Sequence, residues 1–190
     1  MLRPVQHIKT SLSRTKSDIN MEHIKKAVKE LLEERNYTPM MVRALNLIID
    51  DKMNSIALKQ CLSESGYTMS MIKPEALQVI LDYSEIILED DVLTENEIRI
   101  ITLLKMFFQI KDGDFYTFGK KEIVDSVLTA QLKKLYADGK IDKEEALMKT
   151  DLQGLFCLSY DQFLVVVNKV AKGALERGAT MQDLDTFMEI

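Results

Sequence analysis

This sequence has few of the residues from which metal centres, disulfides and covalent active sites are usually built. Its 190 residues include two cysteines, two histidines, three prolines and no tryptophan. Cys61 and Cys157 are too far apart for a redox or zinc motif, and nothing marks either thiol as activated. His7 and His23 are too few for a histidine-based zinc or catalytic cluster. We therefore expect two buried thiols, a reducing compartment and no enzymatic activity.

Long hydrophobic runs and a net positive charge are also absent. The longest uninterrupted run, 163–167, is far short of the roughly 18 to 20 apolar residues that cross a bilayer. The net charge of −5 disfavours binding to nucleic acid or to an anionic membrane surface. The basic stretch 1–17 loosely resembles a transit segment, but a short basic helix or a frayed end fits equally. We expect a cytoplasmic protein without membrane insertion.

Helical periodicity and capping residues organise the rest of the chain. The spacing of Met21, Ile24, Val28 and Leu31 predicts a first amphipathic helix. Further helices are predicted to start at caps or at first-turn prolines: Thr38-Pro39, Asn54, Pro74, Thr94 with Glu97, the helix near Lys120, Asp142 with Glu145, Ser159 with Gln162, and Thr180 with Asp183. The run 98–110 is apolar on nearly all sides and is predicted to be the most buried helix. No strand pattern is present.

These elements predict an all-α bundle of about seven to eight helices. Residues 1–73 are interpreted as an N-terminal helical extension packed on the core, and residues 74–190 as the main helical domain of one globular unit. A shift of 48 residues superposes Asp90, Leu93, Thr94 and Glu97 on Asp138, Ile141, Asp142 and Glu145. Two helix-turn-helix halves related by a pseudo-two-fold axis are therefore expected.

The second half carries a recognisable motif. The stretch 136–145, Tyr-Ala-Asp-Gly-Lys-Ile-Asp-Lys-Glu-Glu, followed by Leu152, Leu155, Phe156 and Phe163, resembles the TerB-like family of tellurite-resistance proteins. The same signature occurs in the N-terminal region of the membrane co-chaperone DjlA. The resemblance covers roughly residues 74–177. It implies an all-helical bacterial stress or defence protein that acts as an accessory or scaffold component, with acidic inter-helix turns that hold divalent cations.

The candidate cation ligands are carboxylates in two turns. Ca²⁺ or Mg²⁺ prefers such clustered oxygens. The second-half ligands would be Asp138, Asp142 and Glu145, and the weaker first-half counterparts Asp90, Asp91 and Glu97. An EF-hand is excluded, because its first ligand position would fall on Lys134. The same residues also fit helix capping alone, since an Asp N-cap with Glu three residues later is a capping box.

Three functions are compatible with the sequence. The first is a non-enzymatic helical interaction module with a protein partner, and with Ca²⁺ or Mg²⁺ as a candidate cofactor. The second is a metal-independent accessory or immunity protein that blocks a partner through its acidic face. The third is a metal-dependent hydrolase, for which no nucleophile, base or pocket can be named. The segment Met69-Ser70-Met71, placed in a connection, is a further candidate contact surface because methionine side chains adapt their shape.

Overall fold

The computed structural model describes residues 11–89 and 93–184, with side chains of the first helix from residue 21 onward. All regular secondary structure in these ranges is α-helical, which confirms the expected all-α fold. The nine helices of the described residues are α1 (Ser11–Glu34), α2 (Pro39–Ile49), α3 (Ser55–Glu64), α4 (Met69–Ile87), α5 (Glu95–Phe107), α6 (Asp114–Thr117), α7 (Lys121–Leu135), α8 (Lys143–Leu155) and α9 (Tyr160–Glu176). None of the described helices is long and apolar enough to cross a bilayer.

The chain divides into two compact units between Gly66 and Tyr67, whereas the sequence placed the boundary at 73/74. The first unit holds α1 to α3. Its core contains the predicted stripes, with Ile24, Val28 and Leu31 of α1 and Leu45 and Ile48 of α2 fully buried. The predicted caps also form: the Thr38 hydroxyl accepts the Met41 N–H, and the Asn54 side chain accepts two amides of α3.

The second unit begins earlier than expected, because Pro74 does not open α4. The helix starts at Met69 after the extended residue Thr68, and Pro74 lies inside it. Proline has no N–H, so the helix lacks the hydrogen bond from residue 74 to the Ser70 carbonyl, and α4 continues past this one missing bond. The prediction that residues 69–71 form a connection is therefore wrong, although Met71 is exposed.

The most buried helix is α4. The prediction that residues 98–110 form the most buried helix is therefore wrong. In α5 the side chains of Ile100, Ile101, Leu104 and Phe107 are buried, whereas Met106 is 70% exposed and the helix ends at Phe107. A stripe of apolar side chains along one face is enough to pack α5 against its neighbours. The larger buried surface belongs to α4: Ile72, Lys73, Ala76, Leu77, Val79, Ile80, Leu81, Asp82, Tyr83, Ser84 and Ile87.

Two helical hairpins in this unit have matching boundaries 48 residues apart. Helices α4 and α7 end at Ile87 and Leu135, and α5 and α8 occupy Glu95–Phe107 and Lys143–Leu155. Capping boxes start α5 and α8, at Thr94 and Asp142. After each second helix a non-glycine residue takes a left-handed conformation, Gln109 at φ 52° and Cys157 at φ 49°. The two hairpins thus share helix boundaries and local backbone conformation, and the pseudo-two-fold repeat stays a prediction.

Candidate functional site

The acidic turn between α7 and α8 is held together by helix capping. The Asp142 Oδ1 atom accepts the N–H groups of Glu144 at 2.8 Å and Glu145 at 2.9 Å. The Glu145 Oε2 atom in turn accepts the Asp142 N–H at 3.0 Å. These bonds satisfy amides that a helix start leaves without partners, and both carboxylates lie at the positive end of the helix dipole. Capping therefore accounts for Asp142 and Glu145.

Asp138 and Gly139 form the tight part of the same turn. The Asp138 Oδ1 atom accepts the Lys140 N–H at 3.0 Å, and Gly139 adopts φ +81°. The next residue but one, Ile141, donates its N–H to the Asp183 carbonyl at 2.6 Å, so the segment after α9 holds the turn in place. Side-chain and backbone hydrogen bonds from Thr180 lower the pKa of Asp183. The turn is consequently held by hydrogen bonds within it and by one from the segment after α9.

The first-half counterparts show the same pattern where they are described. The Glu97 Oε2 atom accepts both the N–H of Thr94 at 2.8 Å and its hydroxyl at 2.7 Å. Asp90 and Asp91 lie outside the described residues. Within 11–89 and 93–184, no group of three or more His, Cys, Asp or Glu residues is placed to hold a metal ion. The cation role of the six predicted residues stays a prediction.

A groove beside the acidic turn, here called the acidic groove, is lined by both apolar and charged side chains. Its volume is about 500 Å³. It is lined by Leu93, Gln131, Lys134, Leu135, Glu144, Glu145, Leu147, Met148 and Asp151. Leu147 is 67% exposed although it is a large apolar residue. Of the predicted cation ligands that the structure describes, Glu145 alone lines this groove.

Asp151 is the carboxylate of the acidic groove whose charge is least well solvated. Partial burial raises its pKa above the ordinary value, because desolvation penalises the ionised form. A cationic group bound in the groove would favour that ionised form. The residue was not anticipated from the sequence, since its burial depends on α7 packing against α8.

The second groove, here called the basic groove, has the opposite charge. Its volume is about 480 Å³. It is lined by Thr129, Lys133, Tyr136, Lys169, Val170, Gly173 and Arg177, a set with three cations and no carboxylate. Thr129, Lys133 and Tyr136 belong to α7 or follow it directly. At 3.6 residues per turn, they lie on the face of the helix opposite to Gln131, Lys134 and Leu135, which line the acidic groove. Sequence reasoning missed this groove because Lys133 and Lys169 belong to different helices.

A buried ionisable cluster of the second unit serves the fold. The buried Lys73 Nζ lies 3.0 Å from the Asp114 Oδ2 atom and donates to the carbonyls of Gln109 at 2.5 Å and Phe108 at 3.4 Å. It thereby ties α4 to the end of α5. Cys157 is half-buried, and this burial raises its thiol pKa, so the nucleophilic thiolate is disfavoured.

Both cysteines are free, as expected, and Cys61 is buried whereas Cys157 is only half-buried. His23 lies exposed on α1, and His7 is outside the described residues. Comparisons of the chain with protein-family models, with curated proteins and with solved structures gave no match.

Proposed function

We propose that this chain is a non-enzymatic helical interaction module of the TerB-like kind, and that the acidic groove binds a protein segment carrying apolar and basic side chains. The carrying observation is the groove itself, in which an exposed leucine and less exposed apolar neighbours lie between carboxylates. The motif at 136–145 and the matching hairpin boundaries support the TerB-like part of the proposal.

The apolar residues that line the acidic groove would supply most of the binding free energy. Leu147, Met148, Leu93 and Leu135 surround a volume large enough for several side chains of a partner. Burying a leucine of this exposure gains roughly 1.5 to 3 kcal/mol, which is about tenfold or more in affinity.

The charged residues that line the acidic groove would select the charge of the partner. Glu144, Glu145 and Asp151 contribute three carboxylates against the single cation of Lys134. Such an imbalance attracts lysine and arginine and repels acidic segments, and it raises association rates for basic partners. A segment with leucine-like anchors flanked by basic residues therefore fits better than a neutral or acidic one.

A binding titration with defined peptides tests the proposal. A fluorescent amphipathic peptide of leucine and lysine should bind the full chain saturably, and a leucine and glutamate peptide of the same length should not. Leu147→Ser should weaken binding about tenfold. Val165→Ser is the matched control, since Val165 is 66% exposed on α9 and does not line the groove. Equal binding of both peptides, or equal loss in both variants, would overturn the proposal.

A further inference from the structure

The basic groove is an unusual feature in a protein of this overall charge. The chain carries a net charge of −5, yet Lys133, Lys169 and Arg177 line one cavity of about 480 Å³ that no carboxylate of the described residues lines. None of the three forms an ion pair or hydrogen bond with a side chain among residues 21–89 and 93–184. Mutual repulsion of three cations around one cavity is relieved when an anion enters.

Helix dipoles explain only part of this arrangement. Lys133 lies in the last turn of α7, and Arg177 follows the last residue of α9, so each cation offsets the partial negative charge of a helix end. Lys169 lies two turns before the end of α9, beyond the reach of that effect. The helix dipole therefore does not account for Lys169.

The backbone of α9 makes room for a ligand at this point. Lys169, Gly173 and Arg177 follow one another at intervals of four, so they lie along one face of the helix. A Cβ atom built on Gly173 would lie 3.6 Å from the Arg177 Nη1 atom, which places the guanidinium beside the glycine. The missing side chain leaves the space between the two cations open.

We propose that the basic groove binds a small molecule carrying two or more phosphate groups, with Lys133, Lys169 and Arg177 as its ligands. Arginine pairs two N–H groups with phosphate oxygens, and two lysine ammonium groups match the remaining charge. The cavity is larger than one phosphate and falls within the range of small-molecule sites, so it leaves space for an organic portion. A nucleic acid would need a longer basic surface than three residues.

Calorimetric titration of the full chain with sodium pyrophosphate, inorganic phosphate and sodium sulfate tests this site. Pyrophosphate should bind saturably with one site per chain and at least tenfold more tightly than the other two, because it can engage all three cations at once. Its affinity should fall as salt is added. Absence of saturable pyrophosphate binding, or equal binding of sulfate, would overturn the proposal.

Single substitutions locate the binding. Lys169→Gln and Arg177→Gln should each weaken pyrophosphate binding about tenfold or more, since each removes a charged hydrogen bond. Lys172→Gln is the matched control, because Lys172 is exposed on the same helix and does not line the groove. Gly173→Leu should also weaken binding by occupying the open space. An equal loss in Lys172→Gln would indicate charge attraction by the whole helix and would overturn the assignment.

Discussion

Lys133 and Lys134 are neighbours in sequence, yet they line two different grooves on opposite faces of α7. Lys133 lies among cations, and Lys134 lies among carboxylates. Since a helix turns by about 100° per residue, a pair of adjacent residues can belong to two surfaces when a helix packs on both sides. Helix α7 does so, against α8 and α9.

The two grooves should bind their ligands independently. We expect Leu147→Ser to leave the affinity for pyrophosphate unchanged, and Lys169→Gln to leave the affinity for the leucine and lysine peptide unchanged, because the substituted residues share no lining partners. Titration of each variant with both ligands gives the coupling free energy. A change of more than about threefold in the cross-titrations would contradict independence and indicate that α7 transmits an effect.

Two glycines of the second unit should respond in opposite directions to the same substitution. Gly139→Ala should destabilise the chain by about 1 kcal/mol or more, because φ +81° is strained for alanine. Gly154 lies within α8, and a Cβ atom added to it would meet no atom within 4 Å. Gly154→Ala should stabilise by about 0.5 to 1 kcal/mol through helix propensity. Urea unfolding measures the change in the free energy of unfolding for each variant. Two changes of the same sign would contradict the assigned backbone conformations.

What the sequence predicted well was local. The caps at Thr38, Asn54, Thr94, Asp142 and Ser159 each involve residues within three positions, so a single stretch of sequence contains the whole interaction. The start of α4 was missed because Thr68 makes no side-chain cap bond, whereas Pro74 offered a familiar but misleading signal. Patterns that involve one short segment are readable without the fold.

What the sequence did not predict depends on tertiary packing. The basic groove joins Lys133 to Lys169, and the acidic groove joins Leu93 to Asp151, across separations that no periodic pattern encodes. One clue was present, since the spacing of Lys169, Gly173 and Arg177 along α9 is helical. This spacing indicates a basic groove only when the fold places Lys133 beside these residues.

Removal of the Asp142 cap should destabilise α8 to the same extent with and without divalent cations. Asp142→Ala should cost about 1 kcal/mol, because the amides of Glu144 and Glu145 lose their acceptor. Asp142→Asn, which keeps an acceptor, should cost less. Thermal unfolding in EDTA and in millimolar Ca²⁺ or Mg²⁺ measures both variants. A rise in the wild-type Tm with cation that Asp138→Asn removes would favour the cation role instead.

The buried ion pair between Lys73 and Asp114 should matter far more than an exposed one. Lys73→Ala should destabilise by about 3 to 5 kcal/mol, since it removes a donor to the Gln109 carbonyl and the buried cation beside Asp114, whose Oδ2 atom keeps the Lys111 N–H. Lys73→Met should cost less, because it keeps the apolar stem. Lys121→Ala, which breaks the more exposed pair with Asp125, is the control and should cost about 1 kcal/mol or less. Urea unfolding measures the loss of unfolding free energy in each variant. Similar losses in Lys73→Ala and Lys121→Ala would contradict the prediction that the buried pair matters more.

Asp151 should make the stability of the chain depend on pH in the direction opposite to most carboxylates. Burial raises its pKa in the folded state, so the folded chain holds this proton more tightly than the unfolded chain does. The resulting stability is fully present below the unfolded pKa and is lost as the pH rises through the folded pKa. Asp151→Asn should therefore stabilise the chain at pH 7 and lose that advantage near pH 3.

The same carboxylate links stability to binding in the acidic groove. A lysine-rich peptide should lower the pKa of Asp151 by favouring its ionised form, and binding should release protons in the pH range where the free chain is partly protonated. Calorimetry of the leucine and lysine peptide in buffers of different ionisation enthalpy counts those protons. Asp151→Asn should abolish the release while leaving the contacts with Leu147 in place, and an unchanged release would assign the protons to another group.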